Sequence, residues 1–430
     1  MARALYSLVF YILMPLVLLR LLWRARLAPA YRQRWTERFG CVEKRGAAPA
    51  IWVHAVSVGE TLAALPMMRE LLQRYPAHQL IVTTTTPTGS ERVRTALASE
   101  LSSGRVLHCY APYDLPCAVA PFLKRMAPQL AIIMETELWP NTIAACHKRA
   151  IPVVLANARL SARSARGYQR ISGLAKPMLQ NLSLVAAQHK DDAERFLGLG
   201  LKPDQLQVTG NIKFDLNLDQ TLKNNAQTIR QRWQRAGERT VLLAASTHQG
   251  EDEQLLAAFK RAVEQQPNLL LVLVPRHPER FDSVTRLVKN QNYTVQRHSE
   301  GGNIAADTQV LVGDTMGELM AMLGASDMCF MGGTLVENGG HNFIEPAAWG
   351  LPQLSGPSLF NFSEVSRLLV DANALIVVDD ANELSQQLMA LCVDKKRCDE
   401  MGQAGLAVAL ENRGALVRLL AAVDEYLLPK

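Results

Sequence analysis

Several short motifs that assign a function directly are missing from this chain. It has no G-x-x-x-x-G-K-S/T loop, which excludes a P-loop nucleotide hydrolase, and no G-x-G-x-x-G turn opens either half, which disfavours dinucleotide binding. The G-x-S-x-G turn of many hydrolases is also missing. Because neither D-x-D nor H-E-x-x-H occurs, we expect no tightly bound metal, and no other cofactor is implied.

Cysteine and net charge are also limited. The chain has seven cysteines without C-x-x-C spacing, and their odd number argues against a disulfide framework or a zinc site and fits a reducing compartment. The net charge of +6 comes without basic runs interleaved with aromatics, so no nucleic-acid partner is expected. Hydrophobic residues, in contrast, make up 48% of 430 residues, which is enough for two domains with full cores.

The first part of the chain is a long apolar run. Residues 4–19 are interrupted only by Ser7 and Pro15, and arginines dominate the next twenty residues. This pattern predicts an uncleaved membrane anchor over residues 1–26, with the rest of the chain in the cytoplasm. A cleaved signal peptide is disfavoured because arginines stand just before Ala28, Pro29 and Ala30. The run is short for a span of roughly 20 residues, so a helix lying in the membrane interface stays open.

The remainder alternates between apolar strands and helical patterns in two series. Continuous apolar strands separated by helices predict parallel sheets covered on both faces, and therefore an α/β fold. A polar stretch from residue 210 divides the series into domains of residues 27–210 and 211–430. The predicted strands are 51–56, 80–84, 106–110, 130–134, 153–156, 184–187 and 207–209, then 241–245, 269–274, 293–296, 309–312, 328–331 and 375–378. The predicted helices include 61–74, 115–126, 139–149, 381–392 and 396–428.

Polar motifs follow the strands of the first domain. Glu60 sits in the opening turn of a predicted helix, where it is either a general base or an ordinary partner of the helix dipole. Glu135 and Glu137 end another strand, and acids at the edge of a ligand cleft usually have a function. Lys213 closes the domain, and from pattern alone a solvated linker charge is the stronger interpretation.

In the second domain, the ends of three successive strands carry residues of the kinds that bind phosphate. Pro275 and Arg276 follow one strand, and an arginine fixed between prolines suits bidentate phosphate contact. Residues 316–318 follow another. The glycine-rich run 332–350 leads into a helix near Asn342, whose free N–H groups attract phosphate. In doubly wound sheets ligands bind at the carboxyl ends of strands, so a nucleotide-sized pocket is predicted, with a cleft between two domains.

Taken together, these motifs resemble one family, the bacterial Kdo (3-deoxy-D-manno-octulosonic acid) transferases. The resemblance covers essentially the whole chain and is carried by H-A-V-S-V-G-E, T-P-T-G-S-E-R, M-E-T-E-L-W-P-N, A-N-A-R-L-S-A-R-S, T-G-N-I-K-F-D, V-P-R-H-P-E-R-F, V-G-D-T-M-G-E-L and G-G-H-N. It implies two Rossmann-like domains of the GT-B glycosyltransferase type. It also implies inverting transfer of Kdo from CMP-Kdo to a lipid A precursor, lipid IVA, at the cytoplasmic face of the inner membrane.

The resemblance also implies roles for single residues. Glu60 would be the general base, while Glu135 and Lys213 would stabilise the transition state. The CMP group would be held by Pro275, Arg276, Met316, Gly317, Glu318, Asn342, Phe343, Ile344 and Glu345. The family often has Asn-Pro-Leu-Glu where this chain has Asn342-Phe343-Ile344-Glu345, so the helix start loses a favourable proline.

Two other functions compete with this interpretation. One is another membrane-associated nucleotide-sugar enzyme such as an epimerase, which the apolar run disfavours. The other is a non-catalytic membrane-binding module, which the intact acids Glu60 and Glu135 disfavour. The number of Kdo residues added, the acyl preference and the oligomeric state are not encoded in any recognisable pattern.

Overall fold

The computed structural model describes residues 1–27, 29–234 and 237–427. These residues form two compact units, Met1–Asp215 together with the segment that starts at Arg413, and Leu216–Asn412. Each unit is built on one seven-stranded sheet in which every pairing is parallel. The prediction of two doubly wound α/β domains is therefore confirmed.

The sheet of the first unit has the strand order β3-β2-β1-β4-β5-β6-β7. Its order reverses beside β1, which pairs with β2 on one side and β4 on the other. The strands are β1 (Ala50–His54), β2 (Gln79–Thr84), β3 (Val106–Tyr110), β4 (Leu130–Met134), β5 (Val153–Ala158), β6 (Leu184–Ala187) and β7 (Leu206–Val208).

Helices cover both faces of this sheet, because its strands are apolar on both sides. Alternate residues of β1 enter separate cores, with Trp52 among one cluster and Ile51 and Val53 among the other. The helices are α1 (Ala2–Leu27), α2 (Val58–Arg74), α3 (Pro87–Ala96), α4 (Ala98–Ser102), α5 (Pro116–Met126), α6 (Pro140–Lys148), α7 (Ala162–Arg170), α8 (Ser172–Gln180) and α9 (Lys190–Gly198).

The sheet of the second unit has the strand order β10-β11-β9-β8-β12-β13-β14. Here the order reverses beside β8, between β9 and β12. The strands are β8 (Thr240–Thr247), β9 (Leu269–Pro275), β10 (Val295–Arg297), β11 (Val310–Val312), β12 (Met328–Met331), β13 (Gln353–Ser355) and β14 (Leu375–Val377).

Helices also connect the strands of the second unit. The last helix of the chain lies in the returning segment, the part of the first unit that starts at Arg413. The helices of the second unit are α10 (Gln220–Gln234), α11 (Asp252–Gln265), α12 (Phe281–Asn290), α13 (Leu319–Gly324), α14 (Ile344–Ala348), α15 (Ser363–Asp371), α16 (Ala381–Val393) and α17 (Lys395–Glu411), and the returning segment holds α18 (Ala415–Asp424).

Thirteen predicted strands are present, with ends that agree within two residues, but β13 was missed. It has only three residues, two of which are the polar Gln353 and Ser355, although all three are buried. The predicted helix 396–428 is also wrong. Gly414 adopts a left-handed conformation, φ 82°, and separates α17 from α18, while residue 428 lies outside the described residues.

The division into domains also differs from the predicted ranges 27–210 and 211–430. The segment around α18 belongs to the first unit, because Leu419 and Leu420 pack in its core. Asp215 fixes the start of this helix by accepting hydrogen bonds from the backbone N–H groups of Gly414 and Leu416, both at 2.5 Å. Helix α1 is counted with the first unit as well, since Met14 packs against Leu115 of that unit.

Candidate active site

Glu60 lies in the first turn of α2, directly after the carboxyl end of β1, where the strand order of the first sheet reverses. Its side chain is buried, and both carboxylate oxygens accept hydrogen bonds, from Val56 N–H at 2.7 Å and from Ser57 Oγ at 2.9 Å. Burial raises the pKa of Glu60 to about 7, an effect to which the nearby carboxylates of Glu137 and Glu135 add, while the two hydrogen bonds oppose it. A carboxylate with this pKa is half ionised near neutral pH, as a general base requires.

The structure brings the acids of the M-E-T-E-L-W-P-N motif close to Glu60. Both Glu135 and Glu137 act electrostatically on Glu60, and they follow β4, the strand next to β1. Glu137 accepts a hydrogen bond from Trp139 Nε1 at 2.8 Å, and burial raises its pKa. Three carboxylates therefore meet at the point where strand order reverses, which is the usual ligand site of such sheets. Sequence reasoning gave Glu137 no separate role.

Lys213 is paired with Glu135. Its Nζ donates a hydrogen bond to Glu135 Oε1 at 2.8 Å, and both side chains are about one-quarter exposed. Glu135 itself has φ 52°, a conformation that residues other than glycine rarely adopt and that often marks functional sites. The interpretation of Lys213 as a solvated linker charge is therefore wrong.

Asn157 holds the segment that carries Lys213. It too has a positive φ, 53°, and its Oδ1 accepts a hydrogen bond from the backbone N–H of Ile212 at 3.0 Å. Asn211 adds a second constraint, because its side chain accepts from Lys213 N–H at 3.0 Å. The motifs A-N-A-R-L and T-G-N-I-K-F-D are thus two parts of one structure that places the ammonium group beside Glu135.

In the second unit, a buried carboxylate shapes the glycine-rich turn after β12. Glu251 accepts hydrogen bonds from the backbone N–H groups of Gly333, Thr334 and Leu335, at 2.6, 2.9 and 2.9 Å, and from His248 N–H at 2.9 Å. Gly332 is required beside it, since a Cβ there would lie 2.6 Å from the carbonyl oxygen of Ser246. Sequence reasoning missed Glu251, although its motif T-H-Q-G-E follows β8 directly.

Arg276 lies exposed at the carboxyl end of β9, next to the predicted nucleotide residues. Burial raises the pKa of the nearby Glu345. A hydrogen bond from Asn342 Nδ2 at 3.0 Å and the positive charge of Arg276 oppose this rise in part. Asn342 Oδ1 also accepts a hydrogen bond from Ile344 N–H at 3.2 Å. One of the N–H groups that was expected to bind phosphate is therefore already paired. Helix α14 is only five residues long, so its dipole is weak, and Arg276 adds a positive charge beside it.

Two histidines, His248 and His341, lie near Arg276, and sequence reasoning assigned neither of them. His248 Nε2 lies 2.8 Å from both His341 Nε2 and Asn338 Nδ2, and the rings of His248 and His341 are stacked with centroids 5.0 Å apart. Because an amide nitrogen can only donate, His248 Nε2 accepts from Asn338. Burial lowers the pKa of His341 to about 4, with further lowering by His248 and Arg276, so the His341 ring is neutral near pH 7.

The remaining predicted nucleotide residues lie after β11. Met316 is exposed, Gly317 has φ 88°, and Glu318 lies 3.5 Å from His298 Nε2 at the start of α13. The side chains of Pro275, Phe343 and Ile344 are buried. Across residues 1–27, 29–234 and 237–427, no group of three metal-ligating side chains suits a cation.

Comparisons with known proteins agree with this arrangement. Residues 33–216 match the family of 3-deoxy-D-manno-octulosonic-acid transferases (kdotransferases), and residues 226–407 match the glycosyl transferases of group 1. The 3-deoxy-D-manno-octulosonic acid transferase of Haemophilus influenzae is 43% identical over 430 residues, 99% of each chain. That of Bordetella pertussis is 34% identical over 437 residues, which is 99% of this chain and 100% of the other.

A comparison with one solved structure supports the fold of this chain and nothing further. The UDP-GlcNAc 2-epimerase of Neisseria meningitidis bound to UDP-GlcNAc has a TM-score of 0.58, with 14% identity, over 87% of this chain and 100% of that one. Such a likeness does not transfer an activity.

The two doubly wound domains and the match over the second of them define a glycosyltransferase of the GT-B class. More narrowly, the chain belongs to the Kdo transferase family and is a Kdo-transferring glycosyltransferase. The predictions of fold class, family and enzyme class are confirmed, while the roles of individual site residues remain predictions.

Proposed function

We propose that this enzyme transfers Kdo from CMP-Kdo to a sugar hydroxyl of the lipid A precursor lipid IVA, with inversion at the anomeric carbon. The reaction would take place at the cytoplasmic face of the bacterial inner membrane, early in lipopolysaccharide synthesis. The observation that supports this proposal most directly is the position of Glu60. This residue is buried where the strand order of the first sheet reverses, and its pKa is raised to about 7.

Glu60 acts as the general base. Its ionised carboxylate accepts the proton of the acceptor hydroxyl, and the resulting alkoxide character lets the oxygen attack the anomeric carbon of Kdo. Val56 N–H and Ser57 Oγ hold both carboxylate oxygens, so the group is oriented before the substrate arrives. Attack on the face opposite the leaving CMP inverts the anomeric centre.

Glu135 and Lys213 act as one charged pair in the transition state. Departure of CMP builds positive charge on the anomeric carbon, and the carboxylate of Glu135 opposes that charge. Lys213 holds this carboxylate in position through the 2.8 Å hydrogen bond. Because the positive φ of Glu135 aims the side chain, the backbone strain there has a functional explanation.

The CMP group is bound by the second unit. Arg276 neutralises the phosphate that leaves as an anion, and the carboxylate of Glu345, held by Asn342, accepts hydrogen bonds from ribose hydroxyls. The remaining predicted contacts are Pro275, Met316, Gly317, Glu318, Phe343 and Ile344. Arg276 is the main source of stabilisation of the leaving group, so no metal is needed in this scheme.

The membrane anchor brings this site to a lipid acceptor. Helix α1 is the one helix within the described ranges that is long and apolar enough to cross a membrane. The C-terminal part of this helix carries the exposed arginines Arg20, Arg24 and Arg26, which suit an anionic cytoplasmic lipid surface.

A transfer assay tests the proposal. Purified enzyme is incubated with radiolabelled CMP-Kdo and tetra-acylated lipid A precursor, and we expect stoichiometric CMP release and lipid-linked label. Release of CMP without labelled lipid would exclude this acceptor, and absence of both would exclude the donor. Mass spectrometry of the product then counts the Kdo residues added.

A further inference from the structure

Helix α1 packs along the first unit over much of its length. On one face of the helix, three side chains spaced seven residues apart are buried. Ser7 and Met14 are each 9% exposed, and Leu21 is 8% exposed. Phe10, Val17 and Leu18 lie beside them and pack with Met14 against Leu115 and Ala118. A seven-residue repeat on an α-helix returns to nearly the same face, so this is one continuous contact.

A buried polar contact fixes the docked position. Ser7 Oγ donates a hydrogen bond to Asn141 Oδ1 at 3.1 Å, and both groups are buried. Asn141 is held in turn by Asp114, which accepts from Asn141 N–H at 3.0 Å and, through its backbone carbonyl, from Asn141 Nδ2 at 2.7 Å. Undocking α1 would remove the hydrogen bond to a buried amide oxygen, at a cost of about 1–3 kcal/mol.

The opposite face of α1 is apolar and uncovered. Ile12 is 67% exposed, Leu16 61% and Trp23 61%, and they lie on the side away from Ser7 and Met14. Flanking this face are the exposed arginines Arg20 and Arg24. A helix that packs on protein with one face and presents apolar side chains rimmed by arginine with the other matches an anionic lipid surface.

Length decides between crossing the bilayer and lying on it. Buried residues recur along α1 from Ser7 to Ala25, which is 2% exposed, so no run of about 20 residues in this helix is free of the protein contact. A hydrocarbon core of about 30 Å needs roughly 20 residues. We propose that α1 lies flat in the cytoplasmic interface of the membrane, docked on the first unit, and does not cross the bilayer. This inference rests on the proposed membrane location of the enzyme.

Sided labelling tests the inference. In a background with the exposed Cys41 and Cys117 replaced by serine, a single cysteine is placed at Ala4, near the start of α1, or at Ser103, an exposed control position in the first unit. A membrane-impermeant maleimide is applied to intact spheroplasts and to inverted inner-membrane vesicles. For Ala4→Cys we expect at least tenfold more labelling in inverted vesicles, the same pattern as Ser103→Cys. Labelling of Ala4→Cys from the spheroplast side would overturn the inference.

Vesicle binding tests the lipid-facing side of α1. Leu16→Glu puts a charge on the exposed face, and Val393→Glu, at a 75% exposed position of the second unit, is the matched control. We expect Leu16→Glu to weaken sedimentation with phosphatidylglycerol vesicles at least tenfold and the control to leave it unchanged. Equal binding by Leu16→Glu and the unsubstituted protein would contradict the flat orientation.

Transfer activity measured in the same inverted vesicles separates this inference from the proposed function. If Ala4→Cys is labelled from the spheroplast side while Kdo transfer persists, α1 crosses the membrane and only the flat orientation fails. If labelling is as expected and no transfer occurs, the proposed reaction fails.

Discussion

Lys213 Nζ and Glu135 Oε1 lie 2.8 Å apart, although 78 residues separate them in the chain. Lys213 follows β7 and Glu135 follows β4, so two strands, β5 and β6, lie between the strands that carry them. Asn157, near the end of β5, bridges this distance by accepting a hydrogen bond from the backbone N–H of Ile212. An isolated ion pair this exposed contributes little to stability, so its geometry is better explained by a catalytic role.

Removal of either partner of this pair should slow transfer and leave the fold intact. We expect Lys213→Met and Glu135→Gln each to lower kcat by roughly 100-fold, within the range for electrostatic stabilisation of a transition state. The double variant should lose little more, because the two residues act together. The measurement is the transfer rate with radiolabelled donor, with CMP affinity from calorimetry unchanged. Lys202→Met, an exposed lysine near β7, is the control.

The pH dependence of transfer should follow the ionisation of Glu60. Because the base must be ionised and its pKa is about 7, kcat/KM should fall about tenfold per pH unit below 7 and level off above it. Ser57→Ala removes a hydrogen bond that favours the ionised form, so the pKa should rise and the profile should move to higher pH. A move to lower pH would contradict the assignment of Glu60.

Glu60→Gln should abolish transfer and stabilise the protein at alkaline pH. The pKa of this carboxyl is raised from 4.5 in the folded state, so its favourable contribution is present at acid pH and is lost as pH rises through about 7. A shift to about 7 corresponds to roughly 3 kcal/mol at most. In urea unfolding, the free energy of the variant relative to the unsubstituted protein should therefore be higher at pH 8.5 than at pH 5. The same difference at both pH values would show that Glu60 titrates normally.

Arg276→Ala should weaken donor binding. The guanidinium is the exposed cation nearest Glu345 and His341, and loss of a charged phosphate contact should raise the Kd for CMP by roughly tenfold to 100-fold. Calorimetric titration with CMP measures this change, and Arg286→Ala, an exposed arginine of α12, should leave the Kd unchanged. An unchanged affinity in Arg276→Ala would exclude the phosphate role.

Glu251→Gln should destabilise the second unit. Four backbone N–H groups donate to this buried carboxylate, and a glutamine turns a donor toward some of them. We expect a loss of at least 2 kcal/mol in the free energy of unfolding together with weaker CMP binding. Glu253→Gln, an exposed position on α11, serves as the control in urea unfolding. Stability equal to that of the control variant would show that the turn after β12 does not depend on this carboxylate.

Most strands were predictable because buried parallel strands are continuous apolar runs, and central strands such as β4 and β9 have that pattern. β13 does not, since Gln353 and Ser355 are polar, and its burial is visible only when β12 and β14 are in place on either side. Likewise, nothing in the pattern of residues 396–428 indicated that α18 returns to the first unit, because an apolar helix face fits either core.

The sequence by itself determined the two wound domains, the apolar first helix and the family, since these depend on local periodicity and on motifs that follow strands directly. Tertiary structure alone decided which side chains meet. The pairing of Lys213 with Glu135, the elevated pKa of Glu60, the four N–H groups gathered on Glu251 and the docking of Ser7 on Asn141 each join residues from separate strands or helices. Such contacts depend on strand order and burial, and neither can be read along a single chain.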